Sequence, residues 1–106
     1  MNREKFYLEM KKNVDKDLQI SKAKNSDYAD GEDAFQNFKV VETIGLTSVE
    51  VGLIVRMSDK FQRISNLIKR EAKVKDESII DTLSDLRNYA NILQVYLENK
   101  GGKDEA

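Results

Sequence analysis

Apolar residues recur at steps of three and four along most of this chain, the signature of helices that each bury one face. From about Asn2 to Lys24 the spacing is kept by Tyr7, Met10, Val14 and Leu18, which predicts a first helix with one apolar stripe. A second stripe, Ile54, Met57, Phe61, Ile64 and Ile68, predicts a second helix with a seam for antiparallel packing. Its start is announced by Gly45 and by TSVE, in which Glu50 stands three residues after Thr47, the spacing of a capping box. Arg56, Asp59, Arg63 and Arg70 occupy the face away from the seam, and KREAKVK, residues 69–75, supplies a basic helix end and a connection. The third helix should open near Asp76, with Asp76 as its cap and Glu77 at the positive end of its dipole. It should stop at Lys100-Gly101-Gly102, and its core stripe is Ile79, Leu83, Leu86, Ala90, Leu93 and Leu97.

Between the first two helices lies NSDYADGEDAFQNF, residues 25–38. Asn25, Ser26, Asp27, Asp30 and Gly31 carry turn chemistry, yet Tyr28, Phe35 and Phe38 are too aromatic for an idle linker. The segment is either a functional loop or, in its second half, a short helix capping the core. The absence of proline agrees with long helices. The expectation is an all-α fold, a small antiparallel bundle of three long helices plus a short helix or loop. It forms a single helical domain over residues 1–99, with a disordered tail over 100–106.

Composition narrows the chemistry. With 106 residues there is room for one core. A net charge of −1 gives no global basic field, so neither nucleic acid nor a membrane surface is an expected partner. Cysteine and histidine are both absent, which removes thiol and imidazole chemistry and leaves oxygen donors for any metal. Such donors favour Mg²⁺ or Mn²⁺. MNREKFYLEMKK has no signal-peptide character and no segment has membrane-spanning length, so a cytoplasmic protein is expected.

The acidic start of the third helix, DESIIDTLSDLRNYA at 76–90, raises the sharpest question. At 100° per residue from Ile79, Asp81 and Asp85 fall at about 200° and 240°, with Asn88 and Glu77 beside them at about 180° and 160°. Ile92 and Val95 continue the same face, flanked by Tyr89 and Tyr96. A face polar at one end and apolar at the other suggests burial at its apolar end, against another helix or a second subunit, with the carboxylates at the rim. Carboxylates one turn apart in a sheltered site repel, and a divalent cation keeps them ionised. Dipole stabilisation explains Asp76 and Glu77 without a ligand, and a solvated face would explain Asp81 and Asp85. Glu50 is either the capping-box partner of Thr47 or a further ligand. Asp59, Lys60 and Arg63 are either ion pairs on a wet face or contacts to metal and phosphate.

Four blocks in order, KNSDY at 24–28, FQNF at 35–38, RMSDKFQRISNL at 56–67 and DESIIDTLSDLRNYA at 76–90, resemble the nucleotide-modification-associated domain family of phages and bacteria. That family is grouped with the MazG-like, all-α nucleotide pyrophosphohydrolases, and the resemblance spans about residues 24–97. It implies a MazG-like bundle, often oligomeric, binding a nucleotide beside acidic residues that hold Mg²⁺. By that resemblance Asp59, Glu77, Asp81 and Asp85 are metal candidates, Asp81 and Asp85 the catalytic ones. Lys60 and Arg63 would meet phosphate, and Lys24, Asn25, Asp27, Tyr28, Asn37 and Phe38 base or sugar. Asn88, on the acidic face, joins the nucleotide-binding set. Two departures stand out: Glu50 is followed three residues later by Leu53 rather than a second glutamate, and the 77-81-85 spacing is four rather than three.

The expected function is therefore nucleotide binding with Mg²⁺-dependent pyrophosphohydrolysis of a nucleoside or deoxynucleoside triphosphate. The alternative is a non-catalytic protein that sequesters a nucleotide immune signal in the host cytoplasm of a phage. A helical adaptor is the plainest third reading. The apolar second face of the last helix also predicts a homodimer or homotetramer.

Overall fold

The computed structural model describes residues 1–28, 31–70 and 77–100, except for the side chains of Tyr28, Glu77 and Ser78. The described residues form helices joined by turns and bends, with no strand among them. Helix α1 is Arg3–Tyr28, a 3₁₀ turn covers Gln36–Phe38, and α2 is the single turn Val40–Thr43. Helices α3, Val49–Ile68, and α4, Glu77–Asn99, complete the bundle. Three long helices and short helical turns match the expected class. The anticipated capping by Asp76 and the glycine stop at Gly101 and Gly102 lie outside the described residues.

Helix α4 is central: it packs against both α3 and α1. Val49 and Leu53 of α3 and Ile79 of α4 are the buried apolar side chains of the described residues. The seam read from the sequence is thus turned. Met57 and Ile64 are half-buried, whereas Ile54, Phe61 and Ile68 remain exposed, because α4 settles against the Val49–Leu53 side instead. On α4 the stripe also thins, with Leu83, Leu86 and Leu93 half-buried but Ala90 and Leu97 exposed.

Two local boundaries differ from expectation for clear reasons. Helix α1 runs on through Asn25–Tyr28, so residues predicted as a loop continue a helix face. The capping box does not form: Ser48, with extended backbone, is the N-cap of α3, and its Oγ accepts from Val51 N at 3.2 Å. Glu50 is instead bonded by Lys100 Nζ at 2.6 Å, which pins the end of α4 to the start of α3. Lys100, the first residue of the expected tail, closes the last turn of α4, its backbone N–H bonding Tyr96 O at 2.8 Å.

Between α1 and α3 the chain folds back through a compact set of turns. Asp33 Oδ1 accepts from Phe35 N at 3.0 Å, and Asn25 Nδ2 on α1 donates to Ala34 O at 2.8 Å. Helix α2 ends in a Schellman turn: Leu46 N bonds Val41 O, Gly45 N bonds Glu42 O, and Gly45 takes φ +79°. The turn delivers Val41 against Gly52 of α3, where an added Cβ would stand 2.9 Å from Val41 Cγ2. Gly52 therefore lets α2 lie directly on the α3 backbone.

Candidate functional site

Where α1, the 35–38 turn and α4 meet there is an open cleft of about 870 Å³, within the size range of small-molecule sites. Its floor comes from α4 through Asp85, Asn88, Tyr89, Ile92 and Val95. One wall is α1, with Leu18, Ser21, Lys22, Lys24 and Asn25, and the other holds Phe35, Asn37, Phe38 and Arg56. The face of α4 predicted to be half-buried is therefore a cleft floor at its apolar end. Its polar end is the one covered by α1: Ser84 and Asn88 are buried there.

Arg56 gives the cleft its character. Its guanidinium carbon lies 5.0 Å from the centroid of Phe38 and 5.9 Å from that of Tyr89, so two rings hold one cation at the cleft wall. Phe35 is fixed edge-on to Tyr96 at 5.3 Å. Lys24 brings a second cation, on the α1 side, where its Nζ bonds Asp85 Oδ1 at 2.9 Å. Asn37 Oδ1 is buried and has no hydrogen-bond donor among the described residues. A buried carbonyl oxygen left unpaired is costly, by about 1–3 kcal/mol, and is satisfied by any ligand N–H that reaches it.

Asp85 is the charge hub of the bundle. Its second oxygen is 3.2 Å from Lys60 Nζ, so one carboxylate of α4 ties α1 to α3. Burial alone raises its pKa, but the hydrogen bonds and charges of Lys24 and Lys60 outweigh that and hold it below the ordinary carboxylate range.

A second polar node sits beneath the cleft, at Asp17. This α1 carboxylate is only 6% exposed. It accepts from Ser84 Oγ and from Arg87, whose Nε lies at 2.5 Å and Nη2 at 3.1 Å. Its backbone carbonyl accepts from Asn88 Nδ2 at 3.1 Å. Burial again pushes the pKa up, and Arg87 and Ser84 more than reverse it.

Of the residues singled out from the sequence, Lys24, Asn25, Asn37, Phe38, Asp85 and Asn88 line this one cleft. Lys60 joins them through Asp85. Arg63 is spent elsewhere, its Nε donating to Thr82 Oγ1 at 3.2 Å between α3 and α4. Asp27, Asp59 and Asp81 are exposed and do not line the cleft. The side chains of Tyr28 and Glu77 lie outside the described residues.

A divalent cation needs several oxygen donors converging on one point. Among the described residues no group of three or more carboxylates is placed to hold a metal ion. Both oxygens of Asp85 already face ammonium groups. Asp59, Asp81 and Asp85 therefore form no such group as placed, and the side chain of Glu77, the fourth expected ligand, lies outside the described residues.

Arg56, Phe35 and Tyr89 belong to the cleft but were not read as site residues from the sequence. Their pairing spans large sequence separations, so no local spacing reveals it. Asp17 did leave a signal: it stands three residues after Val14, on the apolar stripe of the first helix, where a carboxylate needs partners.

No protein-family model matches the chain, and neither a curated protein nor a solved structure shows significant similarity to it. Among the described residues no helix is long and apolar enough to cross a membrane.

Proposed function

We propose that the chain binds a nucleotide in the cleft between α1 and α4. One observation carries this reading: a single concavity joins the cations Arg56, Lys24 and Lys22 to the aromatic rings of Phe35, Phe38 and Tyr89. Cations beside stacking surfaces suit a ligand with a phosphate at one end and a flat base at the other. In this reading Arg56 takes phosphate while remaining stacked, as guanidinium groups do. Lys24 exchanges part of its bond with Asp85 for the ligand. Asn37 Oδ1 accepts from an amino or imino group of the base.

Binding without turnover is favoured over Mg²⁺-dependent pyrophosphohydrolysis by the state of Asp85. Its carboxylate is paired with two lysines, and Asp81 is exposed and does not line the cleft. A sequestering role for a nucleotide signal follows more readily from this arrangement than hydrolysis does.

Calorimetric titration with linear and cyclic nucleotides, with and without Mg²⁺, tests the proposal alongside an assay for released pyrophosphate. The expected result is saturable binding, ligand recovered intact after denaturation, and affinity lowered about tenfold or more by Arg56→Ala. Absence of binding across the panel would remove the nucleotide reading. Pyrophosphate release abolished by Asp81→Ala and Asp85→Ala would replace sequestration with hydrolysis.

A further inference from the structure

Asp85 serves two lysines, and the two stand differently toward the cleft. Lys24 lines it, with 51% of its side chain exposed, and holds Oδ1 at 2.9 Å. Lys60 does not line it. Its ammonium approaches Oδ2 at 3.2 Å from α3, and its side chain is 28% exposed. The carboxylate they share is 22% exposed, so most of the water that would solvate it is excluded.

These positions give the two lysines unequal freedom. A lysine is a compact charge on a flexible four-carbon stem, and Lys24 already stands at the wall of the cleft. Rotation about that stem carries its ammonium from Asp85 to an anion bound there. A phosphate drawn to Arg56, which lies over Tyr89 one turn along α4 from Asp85, meets Lys24 as a second cation of the same cleft.

Whether Lys24 can move depends on what it leaves behind. A largely buried carboxylate stripped of its counter-charge is strongly unfavourable, because the solvation it lost on folding is no longer replaced. With Lys60 on the other oxygen, Asp85 goes from two ion pairs to one and is never stripped. Take Lys60 away and the carboxylate depends on Lys24, so an incoming phosphate competes for a cation that Asp85 no longer yields.

We infer that Lys60 is a positioning residue of the cleft: by keeping Asp85 paired, it frees Lys24 for the phosphate of a bound nucleotide without touching that ligand itself. This rests on the nucleotide reading of the cleft and adds the charge exchange by which the site takes its ligand. It departs from the expectation that Lys60 meets phosphate directly.

A double-mutant cycle on the full chain tests it, by calorimetry with inorganic pyrophosphate and with whichever nucleotide of the linear and cyclic panel binds. Lys60→Gln should weaken binding about fivefold or more. Asp85→Asn should strengthen it severalfold, since both lysines then lose their internal anion. The double variant should bind within about twofold of Asp85→Asn alone, whereas a direct contact from Lys60 to phosphate costs the same in both backgrounds. Amine labelling read by mass spectrometry gives a second measure that needs neither ligand nor Asp85→Asn. In Lys60→Gln, with helical circular dichroism retained, Lys24 should react severalfold more slowly, and in Lys60→Arg at the wild-type rate. Equal costs in both backgrounds, or Lys24 labelling unmoved by Lys60→Gln, would overturn the inference and leave the nucleotide reading standing. If no nucleotide binds, that reading falls and pyrophosphate alone carries the cycle; if pyrophosphate also fails to bind, the inference falls with it.

Discussion

Asp17 shows how one residue can decide where a helix sits. A carboxylate on an apolar stripe is a defect unless donors meet it, and Ser84 and Arg87 do so from α4. Replacing it by asparagine keeps the shape but removes the charge that Arg87 holds. The expected loss is about 2 kcal/mol, the scale of a hydrogen bond to a charged group, read as a lower urea midpoint with an unchanged slope. Arg56 works the other way, as a charge held at the cleft by rings rather than by a carboxylate. Arg56→Lys would keep the charge and lose the stacked plane, so it should recover little of the nucleotide affinity lost in Arg56→Ala.

At the level of elements, α1 is attached by polar rather than apolar contacts. Apart from the half-buried Ile20, its described anchors are Asp17, Lys24 and Asn25. This predicts a specific response to acid. Both Asp17 and Asp85 have carboxyl pKa values lowered by folding. Each therefore stabilises the docked helix fully above the ordinary carboxylate range, and that contribution is lost as pH falls through the lowered values. Lowering the pH from 5 towards 2 should release α1 from α4 before the α3–α4 pair separates. Amide exchange would check this: protection in residues 17–25 should fall at a higher pH than protection in 53–64. Salt should matter less to Asp17, which is buried, than to the more exposed Lys24–Asp85 pair. Helix limits were legible in the sequence where capping and glycine chemistry is local, as at Gly45. The exact cap was not, because Thr47 and Ser48 are equally able residues, and the pull of Lys100 on Glu50 comes from fifty positions away.

For the whole molecule, the notable property is an unfinished surface. Over Arg3–Lys16 of α1 no side chain is buried. If a second copy completes the burial, stability becomes inseparable from association. Raising the protein concentration a hundredfold should then raise the melting temperature by several degrees, whereas a self-sufficient monomer would melt at one temperature throughout. Nucleotide binding to the cleft should add to that melting temperature in the wild type and much less in Arg56→Ala.

Taken alone, the sequence determined the all-α class and the three long helices. Those properties follow from periodicity and turn residues, which act over one or two helical turns. It also placed Lys24, Asn25, Asn37, Phe38, Asp85 and Asn88 among the residues of interest. Only the tertiary structure decided which side of α3 meets α4, that Asp85 answers to lysines from two other helices, and that the Arg56 guanidinium lies over the rings of Phe38 and Tyr89. Each is a meeting of side chains far apart in the chain. Such meetings are set by how amphipathic faces rotate to find cover, and when a helix offers more apolar surface than one neighbour can bury, its own pattern does not say which part is covered.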